Sequence, residues 1–137
     1  MENLNEKLGS LWASVIEKID FNLMENSIRM NLKLTENGNV EYFEIAFKNV
    51  SSYYFLKNNG ENRFSFYELE DGDYLELTSI DYFENGIGEI SMNSSYEWTK
   101  EYYSSANFVI EIWSSLLLIE ADIFELNKKT YTHLMKF

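Results

Sequence analysis

The chain has 137 residues, no cysteine, no proline and a formal net charge of −12, with 45% hydrophobic and 17% aromatic residues. The missing cysteines exclude disulfides, thiolate zinc sites and a cysteine nucleophile, and so many aromatic residues argue against the disorder that often accompanies such charge. A chain this long buries roughly two-thirds of its unfolded surface and needs no covalent staple. One domain over residues 1–137 is therefore expected, with a helix over about 3–12, a β-rich body over about 15–127 and a short C-terminal tail.

The first residues lack a basic stretch followed by a long apolar run, so no signal peptide is expected. The longest aliphatic run covers only residues 116–119, against the roughly 20 apolar residues of a membrane span. A soluble, cytoplasmic protein without membrane association is the resulting expectation.

In chain order, Leu4, Leu8, Leu11 and Trp12 form one apolar stripe at helical spacing. Gly9 weakens that helix by about 1 kcal/mol relative to alanine. Residues 18–23 then alternate, with Ile19, Phe21 and Leu23 on one face, and Asn26-Ser27 follows as a turn. Residues 28–34 place Ile28, Met30, Leu32 and Leu34 opposite Arg29, Asn31 and Lys33. After Asn37-Gly38, Phe43, Ile45 and Phe47 continue the pattern. Asn37-Gly38, Asn59-Gly60, Asp71-Gly72 and Asn85-Gly86 all tolerate the positive φ that tight hairpins demand.

Less regular segments at 64–69, 74–80 and 87–92 read as further strands, and 96–103 as a short helix. Residues 108–113 turn Phe108, Ile110 and Ile112 inward. Residues 116–126 read as a strand, although Leu116, Ile119, Ile123 and Leu126 also fit a helical stripe. The fold class expected is mainly β, with α+β as the alternative: an antiparallel meander forming a β-sandwich or flattened barrel, with a short N-terminal helix.

Charge is concentrated. Residues 64–99 hold nine acidic and no basic residues, so they supply −9 of the −12. Glu68, Glu70, Asp71, Asp73 and Glu76 form the densest stretch, flanked by Tyr67 and Tyr74. Such a run either solvates a hairpin or steers a basic partner onto the surface, with tyrosine as a favoured interface residue. Direct nucleic-acid binding is disfavoured because phosphate would be repelled.

No constellation for catalysis stands out, and no cofactor or metal is expected. His133 is the single histidine, with no marked acid or nucleophile beside it. Aligning Gly72 with the glycine of an EF-hand loop puts Tyr67, Leu69 and Thr78 at ligand positions, so that pattern fails. Gly86 and Gly88 lack the third glycine or lysine of a phosphate loop. The aromatic segments 50–55 and 97–103 read as core and ordinary strand faces, with a ligand-stacking surface as the sharper alternative.

Residues 47–55 (FKNVSSYYF), 107–115 (NFVIEIWSS) and 119–121 (IEA) resemble the YxiG-like family over about 19–127. That resemblance implies a small acidic protein of Gram-positive bacteria, often encoded near secreted polymorphic toxins, and hence an immunity-type role against a toxin. Three functions follow as expectations. The first is a non-enzymatic domain binding a basic protein, such as a toxin domain, through the acidic residues above. The second is a β-barrel or sandwich holding a small apolar ligand among aromatics. The third, ranked last, is a hydrolase built on a carboxylate pair.

Overall fold

A computed structural model of the protein describes residues 3–66 and 68–135. After the helix α1 (Leu4–Gly9) come β1 (Ser14–Asn22), β2 (Ser27–Glu36), β3 (Asn39–Leu56) and β4 (Leu75–Tyr82). They are followed by β5 (Ile90–Ser91), β6 (Tyr103–Ser104), β7 (Phe108–Ile112), β8 (Ser115–Leu126) and β9 (Lys129–Tyr131). Seven strands form one antiparallel sheet in the order β3-β2-β1-β4-β7-β8-β9, and β3 returns to pair with β8. Six of them thereby close a flattened barrel, and β9 extends it beside the end of β8. Closure hides most strand edges, which an open sheet of this size would expose.

The 18 residues of β3 make the closure possible. Asn39 to Phe47 pair with β2, whereas Ile45 to Leu56 pair with β8. The strand turns its corner at Asn49, whose φ is 51°, next to a register shift between Val50 and Ser52. Asparagine enters this left-handed region more readily than most residues, and a bulge sharpens the local twist. At Asn37-Gly38 both residues also have positive φ, as a two-residue hairpin between β2 and β3 requires.

The interior is filled. Phe47, Phe108 and Phe124 meet at centroid distances of 5.0, 5.2 and 5.5 Å, all fully buried among Met30, Leu32, Ile45, Ile110 and Leu117. Each such phenylalanine contributes roughly 1.5–3 kcal/mol of burial. The buried positions follow the alternation read for 28–34, 43–47 and 108–112. Residues 116–126 lie within β8, with Leu117, Ile119, Ala121 and Phe124 facing the core.

Some expectations need correcting. Residues 64–69 form no strand among those described; Phe64 and Phe66 are 78% and 71% exposed, with no partner strand to pair against. The acidic stretch is thus a loop leading into β4, not a hairpin. Of 87–92, only Ile90 and Ser91 pair, and they do so with β6 outside the barrel. The helix is shorter than 3–12, because Trp12 leaves the stripe for solvent and Ala13 takes φ 66°. In β1 Ile19 and Phe21 keep the shared inward face, and a bulge at Glu17 brings Ile16 onto it as well; Phe21 is nonetheless half-exposed, and Leu23, past the end of the strand, is exposed. The expected tail holds β9 and the buried Leu134. Finally, 97–101 form a short 3-10 helix within the span read as helical, but Trp98, Tyr102 and Tyr103 stand in solvent rather than in the core.

The two barrel ends are built differently. Leu4 and Leu8 of α1, with Leu11 in the turn after it, seal one end, where β4 finishes and β7 begins. There Asn5 acts as a strand substitute: its Nδ2 donates to the Tyr82 carbonyl at 2.9 Å, and its Oδ1 accepts from Tyr82 N–H at 2.8 Å. Buried Asn107 does the same for β8 between its pairings with β7 and β9. Its Nδ2 donates to the carbonyls of Ala121 and Leu134, and its Oδ1 accepts from Ala121 N–H. These side chains satisfy backbone groups that burial would otherwise leave unpaired. At the opposite end, among the described residues, no α-helix covers the barrel.

Candidate functional site: the open barrel mouth

The open end arises because β1 and β4 are strongly staggered. They pair only through Ser14, Val15 and Ile16 with Leu77, Glu76 and Leu75. Beyond the bulge at Glu17, β1 continues to Asn22 paired with β2 alone. The space that β4 leaves beside it is a cleft of about 560 Å³. Ile19, Phe55, Leu69, Leu75, Ile112 and Trp113 give the cleft its apolar wall, with Lys57, Asn58 and Asn62 among the polar groups at its border.

Register shows why so many rings surface here. Phe21 lies opposite buried Ile28, Tyr53 opposite Ile119, and Phe55 opposite Leu117. Residues directly opposed in an antiparallel pair share a face, so all three point toward the barrel interior. They remain 42–49% exposed because the barrel ends at this level. Phe21 and Tyr53 meet across the mouth at 5.2 Å.

Trp113 stands at the rim in the tight connection from β7 to β8, with φ 53°. A bulky side chain is unusual there. Its indole N–H donates to the Tyr74 carbonyl at 2.9 Å, its ring lies 5.5 Å from that of Tyr74, and its backbone N–H reaches Thr78 Oγ1 at 3.1 Å. The Tyr74 contacts fasten the loop before β4 to the rim, and the Thr78 contact fastens β4 itself.

The acidic residues sit on that same loop. Glu68, Glu70, Asp71 and Asp73 are exposed, and none is ion-paired among the described residues. Asp73 Oδ2 accepts from Glu70 N–H at 2.9 Å and Asp73 N–H donates to the Glu70 carbonyl, closing a turn around Gly72 at φ 92°. Glu76 differs: it is half-buried at the start of β4 and accepts from Thr78 Oγ1 at 3.0 Å. Tyr74 joins the rim, whereas Tyr67 lies outside the described residues. The structure therefore gathers four acids and Tyr74 beside the cleft. The other acids of 64–99 (Asp81, Glu84, Glu89 and Glu97) lie at the end of β4 or in the excursion before β7.

Sequence reasoning missed Ile19, Phe55, Leu69, Leu75 and Trp113 as parts of one site. The N-G and D-G pairs mark turns but carry no information on which strand stops short. His133 is exposed with φ 58°. No group of three or more metal-binding side chains converges among the described residues, and no helix there is long and apolar enough to cross a membrane.

Two ionisable groups away from the mouth are perturbed. Burial, with Glu84 and Asp122 nearby, raises Tyr82 above the usual phenol value; its hydroxyl donates to the Leu134 carbonyl at 2.8 Å. Glu125 is held below the usual carboxylate range by its hydrogen bond to Lys48 at 2.9 Å, with smaller help from that residue's charge, from Thr130 and from Arg29. Both belong to the structural frame of the sealed side and the barrel wall.

Comparison with known proteins gives a consistent answer. A Bacillus subtilis (strain 168) protein described as "Uncharacterized protein YxiG" is 28% identical over 126 residues, covering 88% of each chain. No solved structure matches. The family model described as YxiG-like protein matches residues 4–131, from the sealing helix to the last strand, and the chain belongs to that family.

Proposed function

We propose that this domain is a non-enzymatic protein-binding module that docks a basic partner on its open mouth. The observation that carries this reading is the loop 64–74, where unpaired Glu68, Glu70, Asp71 and Asp73 alternate with exposed Phe64, Phe66, Leu69 and Tyr74. Apolar rings supply contact area and charge steers the approach. An immunity-type role, in which the partner is a toxin domain, is the specific form of this reading; occupation of a basic substrate-binding surface by the acidic rim would block the toxin.

The test uses the intact protein as bait in lysate and secreted fractions of the producing cell. A Glu68→Lys, Glu70→Lys, Asp71→Lys triple variant serves as the control, since those three side chains are exposed and none is ion-paired among the described residues. The captured partner is then purified. Association should slow about tenfold or more with the triple variant and lose its salt dependence. Unchanged association kinetics would remove the acidic rim from the interface. Co-expression of the partner with and without the domain then reads toxicity directly.

A second reading has one observation in its favour. The cleft of about 560 Å³ is large enough for a small apolar ligand. The filled core beneath confines any such ligand to the mouth.

A further inference from the structure

The same mouth carries an unsatisfied strand edge. Past Ile16, β1 has β2 on one side and, among the described residues, no strand on the other. Every second residue of an antiparallel strand directs its N–H and C=O toward each neighbour. Along residues 18–22 half of these groups therefore face the space that β4 leaves, and no backbone bond among the described residues fills them. The edge is also one wall of the apolar cleft: Ile19 lines it, and Leu75 and Ile112 line it from the far side.

Proteins usually blunt such edges with charge, a bulge or a covering segment. Here the bulge at Glu17 ends the pairing with β4, and Lys18 and Asp20 project from the outer face. The inward positions Ile19 and Phe21 are left beside open space, with the ring of Phe21 44% exposed.

We propose that the edge of β1 over residues 18–22 accepts an extended segment of the partner as an added strand between β1 and β4. Alternate apolar side chains of that segment enter the cleft, and its flanking lysines or arginines meet Glu68, Glu70, Asp71 and Asp73. The inference rests on the mouth being the docking face, and it states how the partner is held. Main-chain bonds supply affinity in such complexes, and the pockets for alternate side chains supply selectivity. Charge complementarity commits the occupant to a basic segment. A second copy of this chain would bring another acidic rim to the same place, where like charges repel.

A synthetic peptide of alternating valine and lysine tests the proposal, together with the same peptide N-methylated at every second residue. Binding is followed by amide chemical shifts and hydrogen exchange of the whole protein. The expected result is slowed exchange of β1 amides between Glu17 and Asn22, shifts at Leu69 and the Trp113 indole, and at least tenfold weaker binding when the methylated positions face β1. Shifts at Leu69 and Trp113 with unslowed β1 exchange and equal affinity for both peptides would overturn strand addition while leaving the docking face intact. No binding of either peptide overturns both readings. Slowed exchange that rises with protein concentration in the absence of peptide replaces the basic segment with a second copy.

Discussion

The two ends of this barrel solve the same physical problem in opposite ways. At one end α1 and the turn after it contribute Leu4, Leu8 and Leu11 to the core, while Asn5 and Asn107 occupy backbone groups that strand pairing leaves over. At the other end the strands stop at different levels, rings stay half-exposed, and a strand edge and an acidic loop face solvent. A single polar side chain aimed at a strand is enough to close an edge, so leaving the β1 edge open is not a necessity of the fold. Exposed apolar surface collected at one place marks interaction sites more often than it marks poor packing.

Substitution separates the two ends by size of effect. Leu8→Ala empties a fully buried position under the seal and should cost about 3 kcal/mol, read as a lowered midpoint in urea unfolding with an unchanged slope. Tyr82→Phe removes one hydroxyl bond to the Leu134 carbonyl and should cost about 1 kcal/mol near neutral pH. Because the folded phenol is raised above 10.0, its contribution is complete below about pH 10 and is lost as pH rises through the folded value. The gap between wild type and Tyr82→Phe should therefore narrow in alkaline unfolding titrations; a gap that widens would reverse the sign. Phe66→Ser at the mouth should change stability by no more than about 0.5 kcal/mol while reducing capture of the basic partner. A loss at Phe66 comparable to that at Leu8 would show that the loop is part of the seal and would dissolve the contrast between the ends.

Legibility of the sequence followed the presence of a core face. Ile28, Met30 and Leu32 alternate with polar or charged residues, Ile45 and Phe47 flank Ala46, Phe108 and Ile110 flank Val109, and all seven large residues are buried as a period-two pattern requires. Where alternation failed to predict, a specific cause intervened. The bulge at Glu17 puts Ile16 on the same inward face as Ile19 and Phe21, and Phe21 stays half-exposed because the barrel ends at its level. Phe64 and Phe66 read as strand because of their residue types, yet no partner strand reaches them. The acidic residues were visible as a run, but not as the border of a cleft, since that depends on how far β4 extends along β1.

By itself the sequence determined local matters: the helical stripe of α1, the period-two strands, the positive φ at Asn37-Gly38 and the concentration of charge in 64–99. These depend on neighbours a few residues apart, where side-chain spacing and backbone sterics act directly. Only the tertiary structure decided that β3 bends at Asn49 to join β8, and that β1 and β4 share three residues. It also brought Ile19, Phe55, Leu69 and Trp113, far apart in the chain, to one mouth. Register and closure are set by the summed packing of strands distant in sequence, and no local pattern encodes that sum.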